Sequence, residues 1–139
     1  MKAEPSTLLV VAAVIISKDR VLVTQRPAHS HLAGMWEFPG GKVESNEDPR
    51  HALARELKEE LGVSAEVHEV VEVTFHRYPK KNVLLIFFQA NLTSSSSAPE
   101  PLDVADFAWR RADELLDKDF PPADVSILSR VRTMLSQGS

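Results

Sequence analysis

Leu8 to Ser17 and Arg20 to Arg26 are two apolar, β-rich runs separated by Lys18-Asp19, a pattern that predicts a hairpin. Pro27 to Gly34 reads as a loop. The stretch MWEFPGGKV predicts a short extended run broken into a turn at Pro39-Gly40-Gly41. A helix is predicted next, with Ser45 or Asn46 as N-cap and Glu47 and Asp48 in its first turn, where negative charge suits the helix dipole. Pro49 is tolerable because it comes so early. Leu53, Leu57 and Leu61 form the apolar stripe, and Gly62 ends the helix.

Ala65 to Tyr78 and Val83 to Leu92 are β-rich again, and Thr93 to Pro101 is a polar loop. DFAW predicts a short strand and ADELL a helical turn. PPADVSILSRVRTML opens with proline at a helix start and carries an apolar stripe at Val125, Leu128 and Val131 or Leu135. Strands and helices mix without regular alternation. The expected class is α+β, a mixed α/β sandwich formed as one domain over residues 1–139.

Composition narrows the possible partners. Of 139 residues, 43% are hydrophobic and 26% charged, enough apolar content for a buried core. A net charge of −4 gives no basic surplus to neutralise the phosphates of a nucleic-acid duplex. Absence of cysteine removes disulfides and thiolate metal sites. Leu8 to Ile16 is too short to span a bilayer, and SKDR follows it instead of a small-residue cleavage site, so a buried strand is expected in place of a signal peptide. The expectation is a cytoplasmic protein that binds no membrane.

The predicted central helix changes the functional picture. At 100° per residue, Glu59 lies about 60° to one side of Glu56 and Glu60 about 40° to the other, an arc of roughly 100° beside the leucine stripe. Such clustered carboxylates suit either a solvated face or a hard divalent cation. Upstream, Pro39-Gly40-Gly41 allows close backbone approach. Gly41, Glu47, Arg55, Glu56, Leu57, Glu59, Glu60, Gly62 and Val63 then fill every fixed position of the 23-residue Nudix box. Nine filled positions make the cation site the better reading.

The chain therefore resembles the Nudix family, and its MutT branch, over nearly its whole length. TQRPAHSHLAGMWEFPGGKVE is similar to the approach to the box in MutT-type enzymes, and FPPAD, with its spacing from Trp109, is similar to their base-recognition segment. The resemblance implies a mixed sheet between helices. It also implies hydrolysis of nucleoside triphosphates to the monophosphate and pyrophosphate, with 8-oxo-dGTP as first substrate. A CTP or 5-methyl-dCTP substrate is the alternative, and a nucleoside diphosphate sugar is disfavoured by the short chain. Mg²⁺, or Mn²⁺, is the implied cofactor, held by Glu56, Glu59, Glu60 and the Gly40 carbonyl. Glu56 orients or deprotonates water, Arg55 holds the carboxylates, and Glu47 braces the loop onto the helix. Asp103 matches a further metal position usually filled by Glu. One methylene shorter, it reaches metal through water.

Arg26, Lys42 and Lys81 match cationic positions near the nucleotide. Phe38, Tyr78 and Phe120 are candidate walls for the base, each equally able to be plain core. Asp124 stands where enzymes acting on 8-oxo-dGTP usually carry Asn. Ionised Asp only accepts hydrogen bonds, which suits a cytosine amine, whereas a protonated Asp124 donates. Capping the last helix is its structural alternative. His29 and His31 form an H-x-H pair with no third ligand and are read as loop residues, His31 being near enough to line a pocket. Monomer and homodimer are both compatible with the sequence.

Overall fold

The computed structural model describes residues 4–137. Eight strands run β1 (Thr7–Val14), β2 (Ile16–Ser17), β3 (Arg20–Gln25), β4 (Trp36–Glu37), β5 (Gly40–Lys42), β6 (Ala65–Arg77), β7 (Asn82–Leu92) and β8 (Asp106–Arg110). Helix α1 spans Pro49–Leu61 and helix α2 spans Val125–Gln137, preceded by short 3-10 turns at Ala112–Glu114, Asp117–Asp119 and Pro122–Asp124. One sheet has the order β5-β1-β7-β6, with β1 parallel to β7 and the other pairs antiparallel. The second is built on β3, which pairs with β2, β4 and β8, all antiparallel.

Period-two alternation in β1 explains the sandwich. Val11, Ala13 and Ile15 face Leu53, Leu57 and Leu61 of α1, whereas Ala12 and Val14 face the opposite cluster with Ile127, Leu128, Val131 and Leu135 of α2. The sheets thus lie between two helices, as the family resemblance implies. Two extended runs are cut differently. The run from Leu8 breaks at Ile15 and its end joins the second sheet. MWEFPGGKV supplies a strand to each sheet, β4 and β5, with Phe38-Pro39 passing between them.

The start of α1 also differs. Its N-cap is Asp48, whose carboxylate accepts the backbone N–H of Arg50 (2.8 Å) and His51 (3.4 Å), and Pro49 is the first helical residue. Ser45 and Asn46 instead sit in a turn closed by Glu47 N–H to Glu44 C=O (3.1 Å), and Asn46 takes the left-handed φ of 64° that its side chain tolerates. Glu47 therefore lies before the helix. Gly62, at φ 71°, ends it as expected, donating its N–H to Lys58. In α2 Val125 is 36% exposed while Ile127 is buried, because the preceding 3-10 turn tucks Ala123 and Asp124 inward and leaves the first helical residue outside. No helix among the described residues is long and apolar enough to cross a membrane.

Candidate functional site

Residues 40–60 bring strand β5 and helix α1 together at one end of a cleft. Gly40 is sterically required, and Gly41 leaves room for a neighbouring side chain. A Cβ on Gly40 would collide with the Val11 carbonyl across the β1–β5 ladder, and one on Gly41 would collide with the Glu56 carboxyl. Gly41 thus lets a glutamate of α1 lie directly against strand backbone.

Arg55 organises the acids. Its Nε and Nη2 donate to the two oxygens of Glu47 (2.8 and 3.0 Å), and Nη2 also reaches the Lys42 carbonyl (3.1 Å). Its Nη1 is shared by Glu56 (3.0 Å) and Glu59 (3.3 Å). Glu47 also accepts the Glu44 N–H at 3.0 Å, so it clamps the turn to the helix. The Arg55 hydrogen bonds, then that backbone N–H, hold the Glu47 carboxyl down at about 2. Arg55 is correspondingly held charged, chiefly by Glu47.

Glu60 takes a different partner, accepting the Gly40 N–H at 3.2 Å. Burial, reinforced by the carboxylates of Glu37, Glu56 and Asp103, pushes its carboxyl up to about 9. Burial raises Glu56 as well, against the pull of Arg55. Asp103 is brought to the end of α1 by its backbone N–H, which donates to the Glu60 carbonyl at 3.2 Å. These side chains do not form a ready-made ligand cluster: among the described residues no three His, Asp or Glu groups converge on one point. The donor set still fits a hard divalent cation. It is all oxygen and partly desolvated, and Glu56 and Glu60 are raised first by burial and then by neighbouring carboxylates.

A cleft of about 270 Å³ leads away from Gly40 and Gly41. Its floor is Leu8, Val10 and Ala12 of β1 with Val83 and Leu85 of β7; Arg26, Lys42, Tyr78 and Lys81 line its sides, and Asp124 its far end. Arg26 donates Nη1 to Glu37 (2.9 and 3.2 Å) and Nε to the His31 carbonyl (2.6 Å), pinning the 27–35 loop. Its Nη2 makes no hydrogen bond among the described residues. His31 lines the cleft and meets Tyr78 edge-on at 5.9 Å, and His76 packs on the same ring at 4.4 Å. Phe38 reaches the cleft but is 3% exposed. Phe120 does not line the cleft. It packs behind Phe38, ring centroids 5.8 Å apart, in the core beside α2.

Asp124 is 6% exposed, and no described residue hydrogen-bonds to its carboxyl. It therefore does not cap α2. Burial, then the charge of Glu37, raises its pKa well above the ordinary aspartate value. Glu37, itself raised by burial and only partly offset by Arg26, is the residue that sequence reasoning passed over. It lies between Glu60 and Asp124 electrostatically and touches both pKa values. The signal available was a charged residue between Trp36 and Phe38, two aromatic side chains, directly before the glycine turn.

Box, sandwich and cleft together define a Nudix hydrolase. The NUDIX domain description matches residues 7–131, and the chain belongs to that family. Such hydrolases act on nucleotide substrates and are generally dependent on a divalent metal. The chain is 37% identical over 119 residues to the CTP pyrophosphohydrolase of Escherichia coli, covering 86% of this chain and 87% of the relative. It is 44% identical over 82 residues to the 8-oxo-dGTP diphosphatase of Proteus vulgaris, covering 58% of this chain and 73% of the relative. The solution structure of the Escherichia coli ORF135 protein superposes with a TM-score of 0.79 at 33% identity, covering 96% of this chain and 94% of that one.

Proposed function

We propose that the protein is a Mg²⁺-dependent, MutT-like nucleoside triphosphate pyrophosphohydrolase, working as a single cytoplasmic domain and cleaving 8-oxo-dGTP. The observation that carries this reading is the continuity of box and cleft: Gly40 and Gly41 line the cleft and also abut Glu60 and Glu56. Glu56, Glu59, Glu60 and the Gly40 carbonyl would hold Mg²⁺, with Asp103 reaching it through water. The ion would supply positive charge against the phosphate oxygens. Lys42, Lys81 and the uncommitted Nη2 of Arg26 would meet the remaining phosphate charge. Glu56, held by Arg55, would orient water and take its proton as the water attacks the β-phosphorus. The bond from that phosphorus to the α–β bridging oxygen breaks, giving the monophosphate and pyrophosphate.

At the other end, a neutral Asp124 offers one donor and one acceptor, as Asn does. Ordinary guanine presents two acceptors, N7 and O6, on that edge. Oxidation at C8 turns N7 into an N–H donor beside the O6 acceptor, which matches the neutral carboxyl. Tyr78 and His31 would flank the base. A second reading is favoured by the near full-length likeness to a CTP pyrophosphohydrolase. Cytosine sets an amine donor beside the N3 acceptor, so it too can pair with Asp124, charged or neutral.

Release of pyrophosphate from 8-oxo-dGTP, dGTP, CTP and 5-methyl-dCTP, and of AMP from ADP-ribose, with and without Mg²⁺, tests the proposal. Metal-dependent release with the highest kcat/KM on 8-oxo-dGTP is expected. A higher value on the cytidine nucleotides would install the second reading, and no release from any triphosphate would reject both.

A further inference from the structure

Strand β6 is the outer edge of the first sheet, and its two halves differ. In the first half the register against β7 slips twice between Val67 and Glu72, and Glu66 and Glu69 are exposed there. Bulges and charges are two of the ways in which an edge strand is kept from pairing with another chain. From Glu72 to Arg77 the ladder is regular, and no lysine or proline interrupts it. The hairpin closes with the Tyr78 N–H on the Lys81 carbonyl at 2.8 Å, so Tyr78, His76, Thr74 and Glu72 turn their backbone groups toward β7. Val73, Phe75 and Arg77 turn theirs outward. Of the six large apolar side chains exposed among the described residues, Val70, Val73 and Phe75 belong to β6, with Val73 55% and Phe75 46% exposed. Val73 and Phe75 both lie on the α1 side of the sheet, beside their cross-strand neighbours Ile86 and Leu84.

We propose that this open half-edge docks on its own copy, two β6 strands pairing antiparallel about a two-fold axis at Thr74. The direction of the backbone groups restricts the register. Only pairings that set odd-numbered residues opposite odd-numbered ones let the outward N–H and C=O groups meet. Centring on Thr74 sets Val73 opposite the partner's Phe75 and Phe75 opposite the partner's Val73, a β-branched–aromatic pair made twice. On the other face it sets Glu72 opposite the partner's His76, an acid beside a base, at the close spacing of a non-hydrogen-bonded pair. Ser126 Oγ donates to Glu72 at 2.7 Å and fixes that carboxyl on this face. Moving the axis to Phe75 puts Arg77 against the partner's Val73 and loses the match of acid and base. Moving it to Val73 runs the pairing into the bulge. A copy of this chain is therefore the occupant: one short segment carries both members of each pair, as an isologous interface requires. An unrelated strand would use the open edge but not the self-match. One short strand pair with two apolar side chains from each copy is at the low end of interface size, so the dimer is reversible, with a Kd of about 10 μM.

The chain has no cysteine, which makes the register directly testable. Thr74 opposite itself is a non-hydrogen-bonded pair with Cα atoms about 4.5 Å apart, within disulfide range. Thr74→Cys should therefore form a covalent dimer under mild oxidation, whereas Ser97→Cys, a control at an exposed loop residue, should not. Sedimentation velocity of the full chain, from about 1 to about 300 μM, should show reversible exchange between one chain and two in the wild type. Phe75→Lys places a charge at an exposed edge position and should weaken that association about tenfold or more without lowering Tm. A wild type that stays monomeric across the range overturns the proposal. Association that Phe75→Lys leaves unchanged lies on another surface and overturns it too. So does a Thr74→Cys protein that cross-links no faster than the Ser97→Cys control. Should Phe75→Lys not fold, the cross-linking comparison and the wild-type sedimentation decide between them.

Discussion

The two ends of the cleft solve opposite problems with the same kind of residue. At the box end, carboxylates from one helix and its loop gather around Arg55, and Glu47 is driven down to about 2. At the far end, Glu37 and Asp124 come from distant parts of the chain, share only Arg26, and are driven upward by burial. Glu47, gripped by the Arg55 guanidinium, stays charged, whereas burial raises Glu56 and Glu60 beside it. Glu37 and Asp124, with a single arginine between them, are both pushed by burial toward holding their protons. The box end is therefore suited to a cation, and the far end to reading a neutral hydrogen-bonding edge.

The largest expected effect breaks the box end. Glu59 is 55% exposed at its side chain, so Glu59→Gln should fold normally yet lower kcat by about a thousandfold, and Glu56→Gln likewise. Near-normal turnover in a folded Glu59→Gln protein would remove Glu59 from the site. Breaking the far end should cost stability more than it alters the box. Arg26→Ala leaves Glu37 unpaired and frees the His31 carbonyl, which should cost about 2 kcal/mol in urea unfolding, since the pair is partly solvated.

Acid and base should act on Glu47 and Asp124 with opposite sign. Glu47 has a folded pKa of about 2 against an ordinary 4.5, so the stability it contributes is complete above 4.5 and is lost as pH falls toward 2. Asp124 has a raised folded pKa. The folded protein then keeps a proton that the unfolded chain has lost, so stability falls as pH rises above the ordinary aspartate range. Glu47→Gln should flatten the acid limb of a stability–pH profile and Asp124→Asn the limb above it. A profile unchanged by either substitution would contradict the contrast.

The smallest effect sharpens the picture between the ends. Thr24 lies opposite Glu37 across the β3–β4 ladder, fully buried, with a hydroxyl that has no hydrogen-bond partner. Removing an orphaned polar group at constant shape is favourable, so Thr24→Val should raise stability by about 1 kcal/mol. A loss of stability would mean that the hydroxyl is satisfied by a water.

The box end was legible because it is local. Gly41, Glu47, Arg55 and the three glutamates lie on one turn and one helix, where spacing alone fixes which side chains meet. The far end was only half legible. Asp124 stood out as a departure from a familiar segment, but its burial, and the reach of Glu37 across from β4, depend on how β3, β4 and the 3-10 turn before α2 pack. Phe120 shows the same limit. Its aromatic ring fits a base pocket or a core equally well by composition, and the core claimed it through contact with Phe38. At the helix starts, Asn46 and Val125 were misplaced by a turn and a 3-10 segment whose geometry no periodicity carries.

The most direct test of the central claim is the ratio of kcat/KM for 8-oxo-dGTP to that for CTP, measured at neutral pH in wild type and Asp124→Asn. If Asp124 is neutral and reads the oxidised purine as Asn would, the ratio favours 8-oxo-dGTP in both proteins and changes little between them. A wild-type ratio that favours CTP and inverts in Asp124→Asn would contradict the account, making Asp124 an ionised acceptor and the enzyme a cytidine nucleotide hydrolase.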